Sequence, residues 1–165
     1  MRNIDTINKK IYTVDKLVSV VRALQFMGKT VAFTNGCFDI VHEGHIYSLS
    51  QAAKEADYLI VGVNADKSVK KLKGEDRPIN NENSRSLLLA SLVIVDAVII
   101  FEEDTPQQLI ATLLPDVLVK GGDYTVEQIA GAKEVIANGG RVVINKIIEG
   151  FSTSGIIEHI RKNFS

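Results

Sequence analysis

The chain has few of the features that mark secreted, membrane-spanning or nucleic-acid-binding proteins. It has a single cysteine, Cys37, which excludes an intrachain disulfide. No apolar stretch approaches the roughly 18 residues that a membrane-spanning helix needs, and the polar residues 1–10 do not resemble a signal peptide. A net charge of −1 gives no bulk attraction to nucleic acid or to an anionic membrane. We therefore expect a cytoplasmic protein that binds neither nucleic acid nor membrane.

The composition is that of an ordinary globular domain, with 45% hydrophobic and 24% charged residues in a chain of 165. No repeat, low-complexity tract or linker interrupts it. Apolar patterns predict strands at 30–34, 58–64, 97–101, 116–120 and 141–145. They predict helices at 14–27, 45–56, 82–93, 105–114 and 126–137, and a last helix through 161. This alternation predicts an α/β, Rossmann-like, doubly wound five-stranded parallel sheet with helices on both faces.

The most informative segment is 34–45, Thr-Asn-Gly-Cys-Phe-Asp-Ile-Val-His-Glu-Gly-His, a strand-to-helix turn. Gly36 and Gly44 allow the backbone to approach a ligand closely. The helix that begins near Gly44 directs unpaired N–H groups and a positive dipole end at that ligand. His42 and His45 add two ring donors. Together these groups suit the phosphates of a nucleotide, and Asn35, Cys37 and Phe38 are expected to line the same turn.

Two other interpretations of the histidines compete with this one. A histidine at a helix start is often a capping or packing residue. The spacing of His42 and His45 differs from the His-Glu-x-x-His zinc motif, and no third metal ligand of obvious type lies nearby, so we expect no protein metal site. Cys37 has no histidine–carboxylate arrangement that would mark it as a nucleophile.

The carboxyl ends of parallel strands meet at one edge of a sheet, where ligands bind. The basic run 67–78 follows the second predicted strand, and its residue Lys73, next to Gly74, is the best candidate to contact a phosphate; Lys70 and Lys71 are second choices. Arg77 and Arg85 offer forked donors. A solvated basic face, and a surface position for Arg85, remain alternatives.

Two further segments fall at the same edge. Residues 149–154 follow the fifth predicted strand, and Ser152, Thr153 and Ser154 either cap a helix or also contact phosphate. Lys120, Gly121 and Asp123 follow the fourth strand and either form a simple turn or line a base or ribose. The acidic loop 102–104 serves either specificity or solubility.

These motifs resemble those of the nucleotidyltransferase superfamily with the His-x-Gly-His signature. The runs 101–107, 118–124 and 134–140 are similar to the adenylyltransferase domain of bacterial ADP-heptose synthase. The resemblance covers about 30–162, so that 29–165 is expected to form the nucleotidyltransferase domain and 1–28 an N-terminal helical extension. Glu43, in the variable position of the motif, is expected to face outward.

The resemblance implies transfer of AMP from ATP to D-glycero-β-D-manno-heptose 1-phosphate, a step of lipopolysaccharide core assembly. It implies that His42, His45 and Lys73 act on the phosphates and that Ser152, Thr153 and Ser154 hold them at a helix start. It also implies Mg²⁺ bound with ATP, a homodimer and a separate sugar kinase. Asp39 either assists the metal or is a structural turn acceptor.

Three functions remain open from the sequence. The first is heptose 1-phosphate adenylyltransferase, and the second is a cytidylyltransferase that acts on an alcohol phosphate such as glycerol 3-phosphate. The third is a nucleotide-binding regulator without turnover, which the presence of the motif residues argues against.

Overall fold

A single five-stranded parallel sheet organises the protein, whose computed structural model describes residues 5–146, 148 and 150–164. Its order is β3-β2-β1-β4-β5, and the strands are β1 (Val31–Gly36), β2 (Tyr58–Asn64), β3 (Ala97–Phe101), β4 (Val117–Gly121) and β5 (Arg141–Asn145). The predicted α/β, doubly wound parallel sheet is therefore confirmed. The bounds of β2, β3 and β5 are those predicted, because their apolar runs are bounded by polar residues.

Helices follow or precede each strand and cover both faces of the sheet. They are α1 (Asp5–Asn8), α2 (Val14–Phe26), α3 (Glu43–Ala53), α4 (Asp66–Lys73), α5 (Glu82–Ala90), α6 (Gln107–Leu113), α7 (Ala132–Ala137) and α8 (Thr153–Phe164), with a 3-10 turn at Val126–Gln128. Alternate strand residues bury their side chains on opposite faces, as the pleat requires. Phe33 packs in one core with residues of α2, α6 and α7, whereas Ala32 packs in another with residues of α3 and α5.

Two predicted segments differ from the structure. No helix is predicted in the basic run after β2, but its first part forms α4, which buries only Ser68 and Val69. The helix predicted over 126–137 is interrupted, because Gly131 has a φ of +85° and a Cβ there would lie 2.6 Å from Ile110 Cγ2. A side chain at Gly131 would thus collide with α6, and glycine permits the close approach of α6 to α7.

The N-terminal segment packs directly on the sheet. Leu17 and Val21 of α2 are fully buried in the same core as Phe33. Tyr12 N–H donates to the Val98 carbonyl at 2.9 Å, and Val98 N–H donates to the Lys10 carbonyl at 2.7 Å. These bonds cover the open edge of β3. None of the described helices is long and apolar enough to cross a membrane.

The strand order reverses at β1. Chain succession runs from β1 to β2 and β3 on one side, and β4 and β5 then add to the other side. The crevice at the carboxyl ends of β1 and β4 is therefore the switch point, where doubly wound sheets bind ligands.

Candidate active site

A cavity of about 450 Å³ opens at this switch point, and we refer to it as the active-site cavity. It brings together the segments after β1, β4, β5 and α4, which are far apart in sequence. Among the predicted site residues, those that line it are Asn35, Gly36, Cys37, Phe38, His42, Gly44, His45, Lys73, Lys120, Gly121, Ser152, Thr153 and Ser154.

The two motif histidines stack on each other at the start of α3. Their ring centroids are 3.8 Å apart with an angle of 24° between the planes, and His42 N–H donates to His45 Nδ1 at 3.4 Å. The Phe38 ring lies 5.3 Å from the His45 ring. His42 Nδ1 is buried and has no hydrogen-bond partner among the described residues. The stack thus fixes both rings and leaves a polar ring atom available.

The absence of a side chain at Gly44 leaves space for the His42 ring. A Cβ at this position would lie 3.1 Å from Phe151 Cβ and 3.2 Å from two atoms of the His42 ring. A side chain at Gly44 would therefore displace the His42 ring or Phe151. Glu43, by contrast, is exposed, as predicted, and does not line the cavity.

Both imidazoles are held neutral at pH 7. Burial lowers the pKa of His42. Burial, reinforced by the neighbouring His42, lowers the pKa of His45 to about 4, although the Ile40 carbonyl acts in the opposite direction. A neutral imidazole still carries one ring N–H, which can donate a hydrogen bond to a phosphate oxygen.

A second helix start meets the first at this cavity. Ser152 Oγ accepts a hydrogen bond from Gly155 N–H at 3.0 Å, so it caps α8. Thr153 Oγ1 donates to the Ile40 carbonyl at 3.3 Å and thereby ties α8 to the motif turn. The Ser154 hydroxyl makes no hydrogen bond with the described part of the chain. Two positive helix ends, of α3 and α8, therefore point at one cavity. Glu149, the first residue of this predicted segment, lies outside the described residues.

Three cationic side chains complete the surroundings. Lys73, the last residue of α4, Arg77 and Lys120 all line the cavity. Lys120 Nζ lies 3.5 Å from Asn35 Oδ1 and 5.7 Å from the centroid of the Tyr124 ring. Burial lowers the pKa of Lys120. Cationic side chains and helix dipoles together favour a polyanionic ligand.

The basic run divides into two groups. Lys67 and Lys71 form exposed ion pairs with Glu102 and Asp104 of the loop after β3. Lys67 and Lys71 therefore belong to a solvated basic face of the protein. The acidic loop 102–104 has a structural role, since it binds these two lysines. Lys73, the last residue of α4, has no such partner among the described residues.

Asp39 is a structural acceptor in this structure. Its buried carboxylate accepts hydrogen bonds from Arg77 Nε at 2.6 Å, Ile79 N–H at 3.0 Å and Asn80 N–H at 2.9 Å. Although burial raises it, these donors lower the pKa of Asp39 overall. Because both of its oxygens are engaged, the carboxylate does not offer itself to a metal. Within the described ranges, no group of three or more His, Cys, Asp and Glu side chains could hold a metal ion.

The expectation that Arg85 contacts the ligand requires correction. Its side chain is 1% exposed and does not line the active-site cavity. Its guanidinium donates to the carbonyls of Cys37 at 2.6 Å, Asn64 at 2.8 Å and Asn80 at 2.9 Å, and to Asp66 Oδ1 at 2.7 Å. Arg85 therefore lies behind the site and joins the loops after β1 and β2 to the start of α5.

Asp123 does not lie in the site where the sequence predicted contact with a base or ribose. It is exposed and lines neither the active-site cavity nor the neighbouring one.

A second cavity, of about 420 Å³, adjoins the first. The two share a wall made of Asn35, Gly36, Cys37, Lys73 and Lys120. The rest of the lining includes polar residues, among them Asn64, Thr105 and Gln128, and apolar ones such as Leu72 and Ile129. The sequence did not indicate Gln128, which lies beyond the run 118–124, or Phe151, whose apolar side chain carries no chemical signature.

Comparison with known proteins shows the family of the chain. The model of the cytidylyltransferase-like family matches residues 33–159. The bifunctional protein HldE of Vibrio cholerae is 54% identical over 147 residues, which cover 89% of this chain and 31% of that protein. The chain thus spans about a third of the length of such relatives.

Two solved structures share the fold. The lipopolysaccharide core biosynthesis protein of Thermoplasma volcanium is 30% identical, with a TM-score of 0.58, over 73% of this chain and 98% of its own. The pantoate-beta-alanine ligase of Francisella tularensis has a TM-score of 0.59 over 92% of this chain and 76% of its own, but at 14% identity it supports the fold alone. From the family match and the HldE relatives, the chain belongs to the cytidylyltransferase-like family and is a nucleotidyltransferase.

Proposed function

We propose that this protein transfers AMP from ATP to the phosphate of D-glycero-β-D-manno-heptose 1-phosphate, giving ADP-heptose and pyrophosphate. The observation that carries the proposal is the convergence of two helix starts, two neutral histidines and three cations on one cavity. HldE relatives that are 53–54% identical to this chain support the choice of acceptor. A sugar kinase must supply this acceptor, and we place that activity outside these 165 residues.

The chemistry is an in-line displacement. An oxygen of the acceptor phosphate attacks the α-phosphorus of ATP, and the bond from that phosphorus to the bridging oxygen of the β-phosphate breaks. The acceptor phosphate is already ionised, so no general base is needed. The protein contributes alignment and stabilises the charge that moves onto the leaving pyrophosphate.

We assign these roles to the residues of the active-site cavity. His42 and His45 donate hydrogen bonds at the α-phosphoryl group, and Lys73 bridges the phosphates as a mobile point charge. The start of α8, at Ser152–Ser154, receives the outer phosphates. The second cavity lies across the shared wall and is large and polar enough for the sugar of the acceptor.

Mg²⁺ would be held with the triphosphate by phosphate oxygens and water, and it would neutralise part of the charge of the phosphates. Asp39 does not serve as its ligand, since its oxygens are engaged by Arg77 and two backbone amides. No step of this mechanism depends on a protein-bound metal.

The test is an assay of pyrophosphate release with ATP or CTP, each paired with heptose 1-phosphate or glycerol 3-phosphate. We expect turnover with ATP and heptose 1-phosphate, with phosphorus NMR showing the diphosphate linkage of the product. Turnover with CTP and glycerol 3-phosphate alone would replace the proposal with a cytidylyltransferase. Nucleotide binding without turnover on any acceptor would indicate a regulator.

Replacing Lys73 should slow turnover because the cavity loses its mobile cation. We expect Lys73→Ala to lower kcat by at least roughly tenfold and Lys73→Arg to restore it only in part, since a planar fork differs from a point charge. The measurement is steady-state pyrophosphate release. Lys70→Ala is the matched control, because Lys70 is exposed on the same helix and lines neither cavity. A larger loss in Lys70→Ala than in Lys73→Ala would show that the wrong lysine is assigned.

A further inference from the structure

A third cavity, of about 370 Å³, lies between the end of α4 and the first turns of α8; we call it the α8 cavity. Lys73, Arg77 and Ser154 line both this cavity and the active-site cavity. The two spaces are therefore continuous along these three side chains, and the α8 cavity leads outward from the proposed phosphate site.

One face of α8 forms the far wall. Ser154, Ile157 and Arg161 follow each other at helical spacings of three and four and all line the α8 cavity. Ser154 is at the helix start, and Arg161 is two turns further out. This face thus connects the helix dipole at the active site to a cation at the outer end of the cavity.

The charge of the α8 cavity favours an anion. Three cations line it, Lys73, Arg77 and Arg161, against two carboxylates, Asp76 and Glu158. Arg77 is paired with Asp39 at 2.6 Å and Glu158 with Lys162 at 2.7 Å, which leaves Lys73 and Arg161 against Asp76. Arg161 has neither an ion pair nor a hydrogen bond to the described part of the chain, so its guanidinium is free for a ligand.

The length and direction of the bound triphosphate determine which of its groups reaches Arg161. With the α-phosphoryl group at the stacked histidines and the adjoining phosphate at the start of α8, the end of a triphosphate points into the α8 cavity. We propose that Arg161, with Lys73 and Arg77, binds the β- and γ-phosphates of ATP there and receives the departing pyrophosphate. This inference rests on one part of the proposed function, namely that ATP is the nucleotide donor. It does not depend on the identity of the acceptor.

Arg161 acts at a defined step. When the acceptor oxygen attacks the α-phosphorus, the electron pair of the breaking bond passes to the bridging oxygen, which leaves on pyrophosphate. Negative charge on that group grows during the step, and a forked guanidinium stabilises it by charge-assisted hydrogen bonds. Arg161 is therefore expected to affect every ligand that carries the two outer phosphates and none that lacks them.

The test compares ligands with and without these phosphates. Isothermal titration calorimetry in Mg²⁺ buffer measures the Kd of ATP, inorganic pyrophosphate and AMP for the intact chain and for Arg161→Ala, Arg161→Lys and Arg141→Ala. We expect Arg161→Ala to weaken ATP and pyrophosphate roughly tenfold, the lower range for a hydrogen bond to a charged group. AMP affinity should not change, and Arg161→Lys should recover part of the loss.

Arg141→Ala is the matched control, because Arg141 carries the same side chain, is exposed at the start of β5 and lines none of the three cavities. It should leave all three affinities unchanged. Wild-type pyrophosphate affinity in Arg161→Ala would overturn the proposal, as would equal weakening of AMP or an equal effect in Arg141→Ala. Since no acceptor is present, a wrong assignment of the acceptor leaves these results unaffected and shows only in the turnover assay.

Discussion

His42→Ala and His45→Ala should each lower turnover by roughly 10²–10³-fold. This is the usual effect of losing a preorganised hydrogen-bond donor to the charge that develops in the transition state. The rings stack with centroids 3.8 Å apart at the start of α3 and both line the active-site cavity. The measurement is kcat from pyrophosphate release, with circular dichroism to confirm that the fold persists. His159→Ala is the control, since His159 is exposed on α8 and lines none of the three cavities.

The pH profile distinguishes a neutral donor from a charged one. Because the pKa of His45 is lowered to about 4, this imidazole remains neutral as the pH falls from 8 to 5. The value of kcat/KM, which reports the groups of the free enzyme, should therefore not follow the titration of an ordinary histidine, whose pKa is about 6.5. A rise in kcat/KM with protonation of a group near pH 6.5, lost in His45→Ala, would contradict the neutral role.

The same shift affects stability in a defined direction. Between about pH 4 and pH 6.5 the unfolded chain binds a proton at His45 that the folded chain does not, so the free energy of unfolding decreases as the pH falls through this window. Above it both states are neutral and the contribution of His45 is constant. Denaturant titrations of the wild type and His45→Ala should show a weaker decrease in the variant.

The sequence predicted those parts of the fold that depend on local pattern. Strands β2, β3 and β5 have the expected bounds because a buried parallel strand is a short apolar run between polar residues. Helix α4 was not predicted because four of its eight residues are lysines and only Ser68 and Val69 are buried. The pattern of apolar residues carries too little information to indicate such a helix.

The site could be predicted where its chemistry is contained in one segment. Gly44, His42 and His45 lie within four residues of each other, and their types alone indicate an anion site. Asp39 and Arg85 differ, because their partners come from other loops. Nothing in the residues around Arg85 shows that the carbonyls of Cys37 and Asn64 converge on it, and this convergence is what buries the guanidinium.

Arg85 leads to the second prediction of large effect. Replacing it by methionine should lower the free energy of unfolding by roughly 3–5 kcal/mol, the usual result of removing one partner of a buried charged network. Its four hydrogen bonds, at 2.6–2.9 Å, join the turn after β1, the end of β2 and the start of α5. Without the guanidinium, three carbonyls lose their donor, among them that of the buried Asn64, and methionine has none to offer.

Lysine should not substitute for this residue. A single ammonium cannot reach the carbonyls of Cys37, Asn64 and Asn80 at once, whereas the planar fork of arginine does. We therefore expect Arg85→Lys to be destabilised and also to bind ATP more weakly. The loss of affinity arises indirectly, because the Cys37 turn carries the shared wall of the two cavities.

The measurement is urea unfolding followed by circular dichroism, with ATP affinity from calorimetry for variants that remain folded. Arg141→Ala is the matched control: its ion pair with Glu55 at 2.8 Å is largely exposed, and such pairs contribute at most about 1 kcal/mol. If Arg85→Lys unfolds at the wild-type urea concentration and binds ATP as tightly, the loops after β1 and β2 are held by their own backbone. Arg85 would then be a buried charge without a positioning role.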